Sequence, residues 1–297
     1  MALKKGFERL RGVAVAGAMG LGAIAGGGSA RAASTATRVD VTKIYGDKAV
    51  VWEKIGNSGV LFSSSTVATT NGLEIKPTVL NSISAFGISD ALIGTATKSD
   101  ATLAEVSETK GDAFDMALIL AVDGNMFVNP DGEVDLTDDT ITSNTVEDII
   151  SGIDANVEYY FSPDRAVVRA LYSLTNTTKE DITVNVLVAG NYGSDSNTSI
   201  AASQSGDTEV DTKDKWYVTT DDTGSGPRDA VVTTTRYGTG ASVIPTNALT
   251  PGEDDAEDHY GLRYEVTVPA NSTRRVMVFH ELGETTRANI AAADDFE

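Results

Sequence analysis

From Arg38 onward the apolar residues recur at every second position, in short runs rich in Val, Ile, Thr and aromatic side chains, separated by Gly, Asn, Asp, Ser and Pro. Period two with β-branched enrichment predicts strands. Early strands are expected at 38–43, 48–53 and 59–62, and later ones at 157–161, 166–174, 182–189, 215–219, 230–237, 262–268 and 274–282. Residues 115–122 form an apolar run behind a single aspartate, as expected of a strand covered on both faces. With no long helical pattern between these segments, the expected fold is all-β, an antiparallel sandwich or barrel, read here as a β-sandwich. Residues 284–293 are Ala-rich and predict a short C-terminal helix, whereas 145–150 reads equally as a helical turn or a strand.

Three connections read as hairpins. Asn129-Pro130-Asp131-Gly132 places Pro at the second turn position and Gly at the fourth, which would join 126–128 to 133–136. Short polar links would likewise pair 166–174 with 182–189 and 262–268 with 274–282. The Gly, Ser and Asp-rich stretches 193–207, 221–229 and 250–261 read as loops.

The first 32 residues stand apart from this pattern. Lys4, Lys5, Arg9 and Arg11 precede an uncharged Gly/Ala-rich stretch, and Ala30-Arg31-Ala32 supplies small residues two apart, the arrangement of a cleaved export signal. The expected organisation is a signal peptide over 1–32 and one β-sandwich domain over 33–297, with 33–110 as a candidate separate N-terminal layer. The expected location is secreted, periplasmic or at the cell surface, with no membrane insertion after cleavage. The C-terminal residues 291–297 show neither an apolar tail nor a basic sorting end.

Charge sharpens this. The 297 residues carry 43 Asp plus Glu against 23 Lys plus Arg, a formal net charge of −20. Residues 1–32 hold five basic residues and one acidic one, so removing their +4 leaves −24. Such a surface repels phosphate backbones, which excludes nucleic acid as a partner. There is no cysteine, hence no disulfide framework, thiolate metal site or cysteine nucleophile.

Candidate chemistry is sparse. Asn129, Asp131, Asp135 and Asp138 follow the third, fifth, ninth and twelfth positions of a calcium loop aligned on Gly132, though Phe127 stands where the first ligand belongs. Glu253, Asp254, Asp255, Glu257 and Asp258 place five carboxylates in six residues, a density that suits a hard divalent cation such as Ca²⁺. Each set also reads as a plain acidic turn or solvated loop. His259 adjoins the second set, and His280 lies on a strand, where a structural role is expected. Trp216 and Tyr217 could stack on a sugar ring. No catalytic residue is assigned: Gly-x-Ser-x-Gly is absent, and among so many acids a glycosidase-like pair carries no information.

The order and spacing of Phe161-Ser-Pro-Asp-Arg165, Gly190-Asn-Tyr-Gly-Ser-Asp-Ser-Asn-Thr198, Asp214-Lys-Trp216, Val268-Pro-Ala270 and Phe279-His-Glu-Leu282 resemble a group of secreted bacterial proteins of unknown function. Its members often end in a C-terminal sorting anchor, and the resemblance covers about 155–296. It implies an extracellular all-β domain similar to the large two-layer supersandwiches of carbohydrate-related proteins, and it carries no catalytic residue. The resulting expectation is an exported, non-enzymatic surface, matrix or binding module that requires no cofactor. A carbohydrate-binding or carbohydrate-active protein with an extracellular glycan partner is the alternative, a calcium-stabilised adhesin the second, and a cell-surface or matrix protein the other partner class.

Overall fold

The computed structural model describes residues 34–36, 38–45, 47–59, 67–68, 74–75, 84–97, 105–251 and 258–295. The signal segment 1–32, the predicted strand beyond Gly59 and the carboxylates Glu253, Asp254, Asp255 and Glu257 lie outside the described residues.

The chain is all-β with one helix. The largest sheet runs, in spatial order, through β1 (Ser34–Ala36), β11 (Val134–Thr137), β12 (Thr140–Ser143), β14 (Ile153–Phe161), β15 (Val167–Asn176), β22 (Thr273–Gly283), β19 (Val231–Thr235), β18 (Trp216–Thr220) and β17 (Ser199–Ser203), with β13 (Val146–Ile150) against β14. Facing it is the sheet β10 (Asn125–Met126), β9 (Phe114–Val122), β16 (Ile182–Tyr192), β21 (His259–Val268) and β20 (Asn247–Leu249). A third sheet holds β2 (Arg38–Tyr45), β3 (Lys48–Gly59), β7 (Asp90–Thr97) and β8 (Glu105–Lys110), with β6 (Ser84–Gly87) on β3. The short pair β4 (Val67–Ala68) and β5 (Glu74–Ile75) stands apart from these sheets.

Alternation decides what each strand buries. Ala155, Val157, Tyr159 and Phe161 of β14 and Val276, Val278, His280 and Leu282 of β22 meet Val184, Val186 and Val188 of β16 and Leu262, Tyr264 and Val266 of β21. The third sheet enters the same core. Trp52 lies 6.5 Å from the ring of Phe114 and 5.8 Å from that of Phe161, and Phe86 stacks on Tyr159 at 5.3 Å. The ambiguous segment 145–150 is a strand.

Strand β9 carries an extra residue against β16: Ala189 pairs with Ile119, and Asn191 with Met116. This bulge turns Ala117 to bond Ile88 in both directions, linking the second and third sheets. Leu118 takes φ +60 there, a left-handed conformation that a bulky side chain adopts only under constraint. Three buried phenols supply the constraint. Leu118 N–H donates to the Tyr260 hydroxyl at 2.9 Å, while Tyr159 and Tyr172 donate to its carbonyl at 2.9 and 2.8 Å.

All three predicted hairpins are corrected. Strand β10 pairs with β9, while β11 pairs with β1 and β12, so Asn129–Gly132 is a corner between sheets. The side chain of Asn129 fixes that corner by accepting Asn144 N–H at 2.8 Å and donating to the Glu133 carbonyl. Strands β15 and β16 belong to facing sheets, as do β21 and β22. Their links are arches that cross the core, and they lie side by side: Asn176 N–H donates to Ser272 O at 2.9 Å and Asn271 N–H to Thr178 O at 3.0 Å. Alternation marks which residues face inward, and it is the same whether the next strand returns beside its predecessor or opposite it.

Helix α1 (Thr286–Asp295) lies on the outer face of the large sheet. Asn289 anchors it, donating to Val231 O and Thr233 Oγ1, each at 3.1 Å. A Cβ at Gly283 would stand 1.7 Å from Asn289 Oδ1, which is why glycine ends β22. Arg165 holds Glu281 with bonds of 2.8–3.2 Å and also donates to Ala292 O at 3.2 Å. Among the described residues no helix is long and apolar enough to cross a membrane.

Candidate functional site

A pocket of about 450 Å³ opens where β19 ends and the chain crosses from Tyr237 to Val243. Its outer wall is the exposed side of β22, Met277 and Phe279, continued by Trp216 and the helix residue Ala293. Its floor reaches between the sheets to Arg236 and Tyr264, both fully buried. Among the described residues three cations line it, Lys215, Arg236 and Arg275, and no Asp or Glu does.

Arg236 follows the last ladder residue of β19, and its N–H donates to Lys215 O at 2.7 Å. Its Nη2 donates to the carbonyls of Asp211 and Asp214, which curl over it from the 205–214 loop. That loop is held by the Asp214 carboxylate, which accepts Ser205 N–H and Asp211 N–H at 2.8 Å each. Asp214 therefore spends its charge on backbone, and among the described residues no carboxylate pairs with Arg236. Nε and Nη1 of Arg236 and Nε1 of Trp216 are buried donors with no hydrogen-bond partner in the protein. Burial pulls the Arg236 pKa below its ordinary value, opposed by Tyr217, Tyr264 and Asp214, yet a guanidinium stays protonated in proteins. Tyr237 is fixed beside it by donating to the carbonyls of Thr212 and Lys213 at 3.3 and 2.5 Å.

A second group lies elsewhere, where β9 and β21 begin. Asp115, Asp195 and Asp258 each offer a carboxylate oxygen within 4.8 Å of the others. Two oxygens on one Ca²⁺, each about 2.4 Å from it, are at most about 4.8 Å apart, so the spacing fits a shared hard cation. Asp195 is held in a tight 3-10 turn at φ +53. Gly193, just before it, packs so closely on the Asp112 carbonyl that a Cβ would stand 2.3 Å away. Burial and then Asp195 and Asp258 raise the Asp115 pKa, with His259 opposing. Neighbouring Asp112 is pushed to about 6 by burial and then Asp115, and Asp90 to about 7 by burial and then Asp112.

Among the described residues, those singled out from sequence do not share a site. Trp216 lines the pocket, whereas Tyr217, the next residue on the same strand, faces the core and meets the Tyr192 hydroxyl at 3.0 Å. His259 begins β21 on the facing sheet, buried, with Nδ1 3.2 Å from Asp258 Oδ1. Asp258 is thus the one member of the 253–258 run that enters a described carboxylate group. Asn129 is committed to its corner, Asp131 sits in that turn at φ +61, Asp135 of β11 stands opposite Thr142 of β12, and Asp138 occupies the β11–β12 turn. Among the described residues these do not gather as the Asp115 group does. His280 is buried against Phe114 and Tyr260 at 5.1 and 5.4 Å, and burial pushes its pKa down to about 3, so it is neutral. Sequence reasoning missed Arg236, which closes the polar run Thr233-Thr-Thr-Arg236 and reads as a solvated strand end.

No family model matches the chain, and no curated protein is significantly similar to it. Among solved structures it is similar to the Slr1438 protein of Synechocystis sp. PCC 6803, at 7% identity and TM-score 0.41, over 83% of this chain and 96% of that one. It is also similar to a galactose mutarotase related enzyme of Lactobacillus acidophilus, at 11% identity and TM-score 0.36, over 84% and 98%. A galactose mutarotase-like protein of Lactobacillus casei aligns at 9% identity and TM-score 0.36, over 82% and 100%. At such scores these likenesses carry no argument about chemistry, which rests on the residues above.

Proposed function

We propose that the protein is an exported, non-enzymatic binding module whose pocket at the end of β19 takes a saccharide. The observation that carries this reading is the pocket itself: about 450 Å³, with Phe279 and Tyr237 as ring surfaces, and no carboxylate among the described residues that line it. Sugar rings present an apolar C–H face that packs on such side chains, and Thr239 and Ser242 of the crossing segment add hydroxyls. Export rests on the basic, uncharged and small-residue pattern of residues 1–32. Titration against a panel of oligosaccharides tests the reading. Phe279→Ala and Tyr237→Ala are expected to weaken binding about tenfold or more. A panel without a binder, or folded variants that bind like the wild type, would overturn it.

A second reading concerns stability. The Asp115, Asp195 and Asp258 oxygens favour a bound divalent cation such as Ca²⁺. Its test is the unfolding midpoint in EDTA against millimolar Ca²⁺, with Asp195→Asn, an exposed position, expected to abolish the rise. An identical midpoint in both buffers refutes it.

A further inference from the structure

The segment that crosses the pocket is fastened at its ends and barely held between them. At one end Arg236 N–H donates to Lys215 O at 2.7 Å, and the Tyr237 phenol is tied to the carbonyls of Thr212 and Lys213. At the other end Pro245 is buried, and Thr246 donates its N–H and its hydroxyl to Arg263 O at 2.7 and 3.2 Å. Residues 238–242 between them are exposed. Among the described residues, 238–244 make only the bond from Ala241 N–H to Gly238 O and that from Lys215 Nζ to Thr239 Oγ1, each 3.1 Å. The first closes a turn in which Gly240, at the third position, takes φ +78, as a type II turn requires there. The tip is therefore a preformed unit on two short arms. It lines the pocket without packing down on it: a Cβ at Gly238 or Gly240 would meet nothing within 4 Å.

The apolar surface supplies the second observation. Among the described residues three large hydrophobic side chains are exposed, Ile44, Ile244 and Met277. Met277 belongs to the outer wall of the pocket, and Ile244, 47% exposed, follows the lining residue Val243 without lining the pocket itself. A single apolar residue on a surface is ordinary. Two at one opening, one on the wall and one on the segment that spans it, mark surface that is covered in another state.

Resting on the saccharide reading above, we propose that 238–244 is a lid that swings about Tyr237 and Pro245 onto the bound sugar, carrying Ile244 out of water against Met277 and the ligand. The open form admits the sugar, and closure sets how long it stays. Burial of apolar surface drives the movement, so it requires no charge on the ligand.

The test is titration and stopped-flow mixing of the full chain with lactose, cellobiose and maltose, followed by the fluorescence of Trp216, since Trp52 lies in the core. A lid gives two phases, a fast one whose rate rises with sugar concentration and a slower one whose rate levels off. Ile244→Ser is the deciding variant. In a rigid pocket a solvent-facing side chain outside the lining has no effect on binding. With a closing lid the variant is expected to bind about fivefold more weakly, through faster release, at an unchanged urea midpoint. Gly238→Val has open space for its side chain and stiffens one arm, so it is expected to slow the second phase about threefold or more and leave the first unchanged. Binding in a single phase, an unchanged second phase in Gly238→Val, or equal affinity and release rate for the wild type and a folded Ile244→Ser protein overturns the lid and leaves saccharide binding standing. Failure of all three sugars to bind overturns the saccharide reading and the lid with it.

Discussion

Asn176 is where the two arches meet, and Asn176→Ala is the sharpest perturbation of the fold. Its Nδ2 donates to Glu180 O at 2.7 Å and Val268 O at 2.9 Å, and its Oδ1 accepts the N–H and the hydroxyl of Thr178, each at 2.8 Å. The residue is 1% exposed, so water does not take over these bonds. Alanine removes all four. Glu180 and the Thr178 hydroxyl lie near the surface and are resolvated, which leaves the Val268 carbonyl and the Thr178 N–H to bear the loss. At about 1–3 kcal/mol for each buried group left unpaired, plus the bonds themselves, the expected cost is roughly 3–5 kcal/mol. In a chain of this size that lowers the melting temperature by about 6–15 °C. Asn176→Asp keeps the shape but sets a second oxygen against two carbonyls. It is expected to be at least as damaging at pH 7 and to recover part of the loss below about pH 4, where a protonated carboxyl donates again. Urea unfolding followed by the fluorescence of Trp52 and Trp216 measures both. An alanine variant within about 1 kcal/mol of the wild type, or an aspartate variant as stable as asparagine at pH 7, refutes the account of the arches.

Further outcomes follow from the same contacts. The Asp90 pKa is raised to about 7, so the folded state keeps a proton that the unfolded chain releases between about pH 4 and pH 7. Its contribution is therefore fully present below about pH 4 and lost as pH rises through 7, by roughly 2–4 kcal/mol. Asp90→Asn, which still accepts Ala91 N–H, should flatten that part of the stability curve, and parallel curves for the two proteins would contradict it. Gly283→Ala puts a Cβ into Asn289, so helix α1 should release from the sheet, read as a loss of roughly 2 kcal/mol or more and as new proteolysis after Gly283; an intact, protease-resistant helix argues against this docking. Tyr260→Phe leaves the Leu118 N–H unpaired and should cost about 1–3 kcal/mol in urea unfolding, with a neutral variant showing that the bulge does not depend on the phenol.

The inward faces of β14, β15, β16, β21 and β22 were legible because alternation is a local property. Which strand lies beside which was not. The links 177–181 and 269–272 are short and polar, as hairpin turns are, and what makes them arches is a set of bonds between them that no single segment contains. The candidate sites divide in the same way. Trp216 was visible as an aromatic, while Tyr217 had to face away from it, since adjacent strand residues always do. Arg236 was invisible because the carbonyls of Asp211 and Asp214 that bury it arrive from more than 20 residues earlier in the chain. Asp115, Asp195 and Asp258 are equally remote in sequence, and the sheet alone gathers them.

The paired arches also give the sandwich a mechanical polarity. At that end two covalent crossings and their shared bonds tie the facing sheets together, so the layers there separate only if the chain itself is pulled. At the far end, where β9 and β21 begin, the crossing 193–198 joins β16 to β17 without a second arch beside it among the described residues, and carboxylates that raise one another's pKa lie close together. Breathing motions should therefore start at the carboxylate end and die out toward the arches, with amides around Tyr192 and His259 exchanging ahead of those around Ile182 and Val268. Protons or cations reaching that end would tune how widely the structure gapes while leaving its hinge untouched.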